Sequence, residues 1–255
     1  MAKHQPNSGR STARVIERPL DGGPAGGTMY ENGAYLANNP HWHLDHSPWK
    51  ASQVLKMIRR NHLAPTTVCE VGCGAGEILR RLQQQLPESV KFYGYEISPQ
   101  AYELCRERAN ERLIFHLGDH FVADEAPFDV LMALDVIEHV EDIYGFLRGL
   151  RGKAEHTIFH IPLNLSAQTV LRGKPLSKVR KRVGHIHFFT KDMALSLLQE
   201  TGYEVMDWFY TAAAWEKRRS LAWAPVRLPC RLLYLLSPDL MARALGGQSL
   251  MVLAR

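Results

Sequence analysis

The sequence has no long apolar run, and its first residues lack even a short one. No stretch of about 18 consecutive apolar residues occurs, the length that a membrane-spanning helix requires. The opening 20 residues, MAKHQPNSGRSTARVIERPL, are polar and basic and contain no apolar core of a secretory signal. We therefore predict no transmembrane segment and expect a cytoplasmic protein.

Cysteine is scarce, and its spacing matches neither a disulfide framework nor a zinc site. The four cysteines are Cys69, Cys73, Cys105 and Cys230. They form no CxxC pair and no zinc-like spacing with histidines. The HWHLDH segment at 41–46 offers donor atoms, but its spacing matches no strong ligand motif. We expect reduced cysteines and no metal.

The excess of positive charge is small. The formal net charge is +5, from 31 Lys and Arg against 26 Asp and Glu, which is well short of a polycationic nucleic-acid-binding arm. One local exception is the basic stretch 172–182. It is either a solvated face or the contact of an anionic substrate, and nucleic acid is not the partner we expect.

Composition and pattern divide the chain into a tail and one domain. Residues 1–28 are rich in Gly, Pro, Ser and Arg and predict a flexible tail. From residue 29 to 255, seven short apolar runs alternate with helical stretches. The runs are TTVCEV, KFYGYEI, RLIFHLGD, FDVLMALD, HTIFHIPL, YEVMDWFY and QSLMVLAR. This alternation predicts a single α/β domain with a doubly wound, mainly parallel sheet.

Two segments flank this pattern. Residues 29–64 include SPWKASQVLKMIRRNHL, a predicted helix with a serine cap and a proline in its first turn. Residues 215–246 form an apolar and cationic insertion before the last strand. It is expected to cap a hydrophobic pocket, form a homodimer face, lie on a membrane surface or simply pack on the core.

Residues 68–79, VCEVGCGAGEIL, place three glycines on alternate positions between a strand and a helix. Such a turn brings the main chain close to a nucleotide. A dinucleotide fingerprint, GxGxxG, would need glycine at position 77 or 79, where the chain has Glu77 and Leu79. Glu77 would also repel a pyrophosphate. The turn therefore does not match a dinucleotide-binding fingerprint.

Acidic residues end the next strands along the chain. Glu96 ends the second strand, where a carboxylate can accept the ribose hydroxyls, and Asp119 ends the third. The fourth is followed by DVIEHVED, which begins at Asp135.

Together, ExGxGxG, these acids and the segments FDVLMALDVIEHVED and GHIHFFT resemble the class I S-adenosylmethionine-dependent methyltransferases. The resemblance covers Tyr30 to Arg255. It implies the strand order 3-2-1-4-5-7-6 with the last strand antiparallel. The implied cofactor is S-adenosylmethionine and the product S-adenosylhomocysteine. The cofactor contacts it implies are Glu70, Gly72, Cys73, Gly74, Gly76, Glu96, Ile97, Asp119, His120, Leu134 and Asp135.

The methyl acceptor is expected to be a small, aromatic or apolar molecule. DVIEHV is similar to ubiquinone-pathway O-methyltransferases, which favours a hydroxyl acceptor and makes His139 a candidate base. His160 and His185 are further candidates, and each alternatively has a packing role. Asp135 and Glu138 either meet the cofactor ammonium or cap the following helix. Methylation of nitrogen or carbon, an RNA or protein substrate, and a non-catalytic scaffold stay open.

The segment before the first strand resembles the N-terminal lid of a bacterial methyltransferase subgroup with the pattern WH-x-(D/E)-x-S-x-WK. A lid that closes over the site would exclude water. The residues predicted to line the lid and the substrate side are Tyr30, Trp42, His43, Trp49, Lys50 and His187.

Overall fold

The structure is a computed structural model that describes residues 44–118, 127–212, 234 and 237–255. The predicted tail therefore lies outside the described residues, as does most of the 215–246 insertion. So do five of the predicted site residues: Tyr30, Trp42, His43, Asp119 and His120.

One seven-stranded sheet organises the described chain. Its strands run in the order β3-β2-β1-β4-β5-β7-β6. The first five are parallel to one another, and β7 lies antiparallel between β5 and β6. The strands are β1 (Thr67–Val71), β2 (Lys91–Glu96), β3 (Leu113–Leu117), β4 (Phe128–Leu134), β5 (Ala154–Leu163), β6 (Val205–Thr211) and β7 (Gln248–Ala254). Both the strand positions and the order confirm the prediction.

Eight helices accompany the strands in the described part of the chain. They are α1 (Ser47–Arg60), α2 (Glu77–Gln83), α3 (Pro99–Arg106), α4 (Ile143–Leu150), α5 (Ala167–Arg172), α6 (Lys174–Val183), α7 (Lys191–Glu200) and α8 (Pro238–Ala244). Among these residues, no helix is long and apolar enough to cross a membrane.

Buried apolar residues form a core on each face of the sheet, as a doubly wound fold requires. Successive residues of β7 show this directly. Met251 packs in a cluster with Met57, and the next residue, Val252, packs in the opposite cluster with Phe159. The alternation of side chains along a strand sends neighbours to opposite faces.

Helix α6 occupies most of the basic stretch 172–182, and helix α5 precedes it and ends at Arg172. Ser166 and Thr169 form a reciprocal capping box at the start of α5, and Pro175 lies in the first turn of α6. Gly184 then ends α6 with a left-handed φ of +81°. Local capping thus makes helices of a stretch with few apolar residues.

Two predicted caps are wrong. Helix α1 begins at Ser47, its N-cap is His46, and no side chain caps it. The helix after β4 is capped by Asp142, which accepts a hydrogen bond from the Gly145 N–H at 2.9 Å. Neither Asp135 nor Glu138 caps that helix, because Asp135 precedes a 3₁₀ turn (Ile137–His139) and Glu138 lies within that turn, before the Asp142 cap.

Candidate active site

The glycine turn between β1 and α2 is left-handed at all three glycines, with φ values of +68°, +57° and +74° at Gly72, Gly74 and Gly76. A Cβ at Gly72 would lie 2.7 Å from Val136 Cγ2, and one at Gly76 would lie 2.5 Å from Phe115 Cζ. A Cβ at Gly74 would meet no atom of the described residues within 4 Å. Two glycines therefore permit close packing, and the middle one faces open space.

Glu96 supports this turn from the end of β2. Its Oε2 accepts a hydrogen bond from the Gly74 N–H at 2.7 Å, and its Oε1 accepts one from the Ser98 N–H at 2.8 Å. Burial raises the pKa of this carboxyl, and the main-chain donors oppose the rise. Each oxygen keeps acceptor capacity for a second donor, such as a ribose hydroxyl.

The other residues predicted on this side differ in exposure. Cys73 is buried, with its Sγ 3.9 Å from that of Cys105, and both thiols are free, as predicted. Ile97 is 38% exposed next to Glu96. The Leu134 side chain packs in the core, so only its main chain borders the site.

Glu70 is the buried acid at the foot of the turn. Its side chain lies in β1, and its Oε2 has no hydrogen-bond partner in the described part of the chain. Burial raises the pKa of Glu70 to about 8, with Lys50 opposing the rise and Glu96 adding to it. We call Glu70, the three glycines and Glu96 the cofactor side of the site.

On the neighbouring strands, a row of polar side chains joins four elements. The Lys50 ammonium lies 2.6 Å from Asp135 Oδ2, and Asp135 Oδ1 is hydrogen-bonded to His160 Nδ1. His160 Nε2 lies 2.9 Å from Thr211 Oγ1. Burial alone would raise the pKa of Asp135, but Lys50 and His160 together hold it well below its usual range. Asp135 has a left-handed φ of +58°.

Lys50 was expected to face the cofactor or the substrate, and the structure instead pairs it with Asp135. The burial of Lys50 opposes its charge, yet the carboxylate raises its pKa above the usual value. Trp49, its neighbour on α1, places its ring 6.0 Å from that of His160, edge to face. Helix α1 therefore brings two of the predicted lid residues to the site.

A second cluster lies three residues beyond Asp135. Glu138 Oε1 is 3.8 Å from His139 Nε2 and 3.8 Å from His185 Nε2, and the two imidazole rings lie edge to face at 4.8 Å. The Glu138 side chain is 1% exposed, and neither carboxylate oxygen has a hydrogen-bond partner among the described residues. Burial, together with the nearby Asp135 charge, raises the pKa of Glu138 well above its usual range.

Main-chain hydrogen bonds hold this cluster together. The N–H groups of Ile186 and His187 both donate to the Glu138 carbonyl, at 2.8 and 3.1 Å. His187 Nε2 lies 2.8 Å from the Val140 carbonyl, so this imidazole fixes the segment and does not point freely at a substrate. We call Asp135, Glu138, His139, His160 and His185 the acceptor side.

Two residues of the site were missed by sequence reasoning. Asn164 contacts His185 Nδ1 through its side-chain amide at 2.9 Å, and it follows directly after β5 in HIPLN, where a polar strand end could have identified it. Thr211 contacts His160. It ends β6, and only the β5–β7–β6 pairing brings it there.

The two sides adjoin one another. Val136 follows Asp135 directly, and Gly72 has no Cβ at the point where Val136 packs against the turn. The ends of β1 and β4 are neighbours in the sheet. The open space at Gly74, the lone Glu70 oxygen and the Glu96 carboxylate suit an adenosyl ligand that carries hydroxyl and ammonium donors.

Comparison with known proteins agrees with this geometry. Residues 43–207 match the family described as "Methyltransferase domain". No curated protein matches the sequence significantly.

Several solved structures share the fold. Magnesium protoporphyrin IX methyltransferase from Synechocystis, crystallised with S-adenosylhomocysteine, is 15% identical with a TM-score of 0.55, over 82% of this chain and 83% of that one. A sarcosine dimethylglycine methyltransferase described as putative, from Galdieria sulphuraria, is 12% identical with a TM-score of 0.57, over 81% and 84%. The [4+2]-cyclase SpnF is 18% identical with a TM-score of 0.51, over 74% and 75%.

These neighbours show the fold, and the family match covers more than half of the chain. The chain therefore belongs to the methyltransferase-domain family of class I fold, which takes its methyl group from S-adenosylmethionine.

Proposed function

We propose that the protein transfers the methyl group of S-adenosylmethionine to a hydroxyl oxygen of a small aromatic or apolar molecule. The observation that carries the proposal is the contact of the glycine turn with the segment that begins at Asp135. Through it, a ligand at Gly74 and an acceptor near His139 would share one edge of the sheet. Alignment for in-line attack is the main demand of this reaction, because the sulfonium is already a good electrophile.

On the cofactor side, Glu96 would accept the ribose hydroxyls while its two main-chain donors hold the carboxylate in place. Gly74 would allow the ligand to approach the main chain. Asp135, which Lys50 and His160 keep ionised, would attract the cofactor ammonium, and the unpartnered Glu70 Oε2 would accept a hydrogen bond from the ligand.

On the acceptor side, His139 and His185 would assist removal of the hydroxyl proton. A phenol of pKa about 10 is mostly protonated at neutral pH, so assistance raises the rate. His160 is assigned a positioning role, since both of its ring nitrogens are engaged, one by Asp135 and the other by Thr211. Trp49 and the segment before it would close the site against water.

The acceptor atom is tested by product analysis. The purified protein is incubated with S-adenosylmethionine and a panel of phenols, catechols and hydroxy acids, and products are identified by mass spectrometry and NMR. We expect an O-methyl product in equal amount to S-adenosylhomocysteine. Methyl groups found only on nitrogen, on carbon or on RNA would overturn the hydroxyl proposal. His139→Ala should reduce kcat about 100-fold or more. The control His156→Ala, near the start of β5 and away from His160, should not reduce kcat.

A further inference from the structure

The Glu138 cluster contains a buried carboxylate that the protein itself does not satisfy. Both oxygens lack a hydrogen-bond partner among the described residues, although the side chain is almost completely buried. Buried polar groups in folded proteins nearly always have partners. An unpartnered carboxylate between two imidazoles is therefore an indication of a missing positive charge.

The donor atoms have the chemistry and spacing of a metal site. Glu138, His139 and His185 each offer one ligand atom, and these three atoms lie within 4.8 Å of one another. A tetrahedral ion with bonds of about 2.0–2.1 Å separates its ligands by about 3.4 Å. The two 3.8 Å distances to Glu138 Oε1 need to shorten by only a few tenths of an ångström.

The surroundings orient these ligands. The turn Ile137–His139 presents Glu138 and His139, and two main-chain hydrogen bonds to the Glu138 carbonyl bring the segment that carries His185 against it. Asn164 contacts His185 Nδ1. In the structure the Asn164 amide nitrogen Nδ2 faces Nδ1, so metal binding through Nε2 requires the amide to turn and present Oδ1, which then accepts the Nδ1 proton, as partners of metal-bound histidines commonly do.

We propose that Glu138, His139 and His185 bind one divalent transition-metal ion, of the class of Zn²⁺, Mn²⁺ or Fe²⁺. Two imidazoles and one carboxylate on one side of an ion leave its remaining positions open. This differs from the sequence-based expectation of no metal, because the three ligands come from segments that the sequence separates by 46 positions.

The role of the ion rests on the proposed function. The acceptor hydroxyl would coordinate at an open position, where the ion lowers the pKa of the hydroxyl and its proton passes to solvent. The resulting oxygen attacks the methyl carbon, a C–O bond forms, and the C–S bond breaks with its electron pair retained by sulfur. The two histidines would then assist deprotonation through the ion and not by accepting the proton themselves.

Binding is tested with metal alone. Protein without an affinity tag is stripped with chelator, and titrations of Co²⁺ followed by visible absorption and of Zn²⁺ followed by calorimetry are compared with the same titrations of Glu138→Gln. We expect one ion per chain and at least about 100-fold weaker binding to the variant, since even the loss of an outer partner commonly weakens binding 10- to 100-fold. The matched control His156→Gln should bind within twofold of wild type.

A folding readout separates loss of the site from loss of the fold. Glu138→Gln replaces an unpartnered buried carboxyl group by a neutral amide of the same size, so the metal-free variant should melt at or above the wild-type temperature, and added Zn²⁺ should raise the Tm of wild type only. Failure of wild type to bind Co²⁺ or Zn²⁺, or equal binding by Glu138→Gln, would overturn the site.

Activity measurements distinguish failure of the proposed metal site from failure of the proposed methyl transfer, on which the role of the ion rests. Methyl transfer to a phenol by the stripped protein at the full rate would refute the role of the ion and leave the transferase proposal intact. One bound ion without transfer to any hydroxyl acceptor would contradict the transferase proposal and leave the metal site standing.

Discussion

The cofactor side of the site is shaped by main-chain geometry, whereas the acceptor side is shaped by buried charged side chains. At the ends of β1 and β2, three left-handed glycines and two main-chain donors to Glu96 define the space. At the ends of β4 and β5, charges from α1, β5 and the segment after α6 meet Asp135 and Glu138. Main-chain geometry suits a site that holds a ligand in one position. Interacting charged side chains suit a site where the pKa of a reacting group has to be adjusted.

This difference implies different responses to substitution. Changes on the cofactor side should mainly alter ligand affinity or local packing. Changes on the acceptor side should alter stability strongly, because a partner removed from a buried ion pair leaves its counterpart uncompensated. Glu70 lies where the two sides meet.

The largest effect is expected from Glu70→Gln as the pH rises. The folded-state pKa of Glu70 is about 8, above its ordinary value of 4.5, so the contribution of Glu70 to stability is complete below pH 4.5. That contribution falls as the pH rises through 8. The free energy of unfolding of Glu70→Gln relative to wild type, both without cofactor, should grow by up to about 1.4 kcal/mol per pH unit across this window.

Urea denaturation at half-unit steps from pH 4.5 to 8.5 measures this difference. The matched control for the substitution itself is Glu103→Gln, 65% exposed on α3. A flat difference between Glu70→Gln and wild type would mean that Glu70 is charged in the folded protein at neutral pH.

Asp135→Ala comes next in expected size. It leaves the Lys50 ammonium, 17% exposed, without its carboxylate and also removes the partner of His160. Because Asp135 itself is 27% exposed, we expect a loss of about 3 kcal/mol in the free energy of unfolding, at the lower end of the range for broken buried pairs.

The control is Asp192→Ala, which breaks an exposed pair with Arg243. Its free energy of unfolding should fall by less than about 1 kcal/mol. Similar losses for the two variants would contradict the buried-charge description.

Substitutions of Gly76 and Gly74 should distinguish a glycine that is needed for packing from one that is needed for ligand binding. Gly76→Ala must place a Cβ 2.5 Å from Phe115 at a φ of +74°, so we expect a loss of about 2–3 kcal/mol in unfolding free energy. Gly74→Ala meets no neighbour and should lose about 1–2 kcal/mol from its φ alone. Its affinity for S-adenosylhomocysteine should fall at least tenfold, as measured by calorimetry. If Gly74→Ala binds normally, the open space beside Gly74 is not the ligand site.

The smallest effect is expected at Thr211. Thr211→Val keeps the side-chain shape and removes the hydroxyl, which contacts His160 Nε2 at 2.9 Å and donates to the Ser249 carbonyl at 3.3 Å. Because the second contact is long, the loss of both predicts about 1 kcal/mol by urea denaturation. Thr201→Val, whose hydroxyl bonds only to carbonyls of its own helix, serves as the comparison for methyltransferase activity. Only Thr211→Val should lower kcat, because only Thr211 positions His160.

The fold and the cofactor side could be read from the sequence because their determinants are local. Short, nearly continuous apolar runs set the strands, and the spacing of Glu70, the glycines and Glu96 follows from one strand–turn–helix unit and its neighbour. Helices α5 and α6 were missed because capping residues, and not apolar periodicity, define them.

The acceptor side could be read only in part. His139, His160 and His185 were identified as candidates, but their partners come from distant segments. Lys50 reaches Asp135 because α1 packs over the sheet, and Thr211 reaches His160 because β7 lies between β5 and β6. No spacing rule in the sequence encodes such contacts.

The most direct test of the central claim is calorimetric titration of S-adenosylhomocysteine into wild type, Glu96→Ala and the exposed control Glu103→Ala. Glu96→Ala removes two predicted ribose hydrogen bonds to a charged acceptor, so the account predicts at least about 100-fold weaker binding than to the other two proteins. Thermal melts without ligand confirm that the variant is folded. Equal affinity for all three proteins, or no binding by wild type, would contradict a cofactor site at the glycine turn.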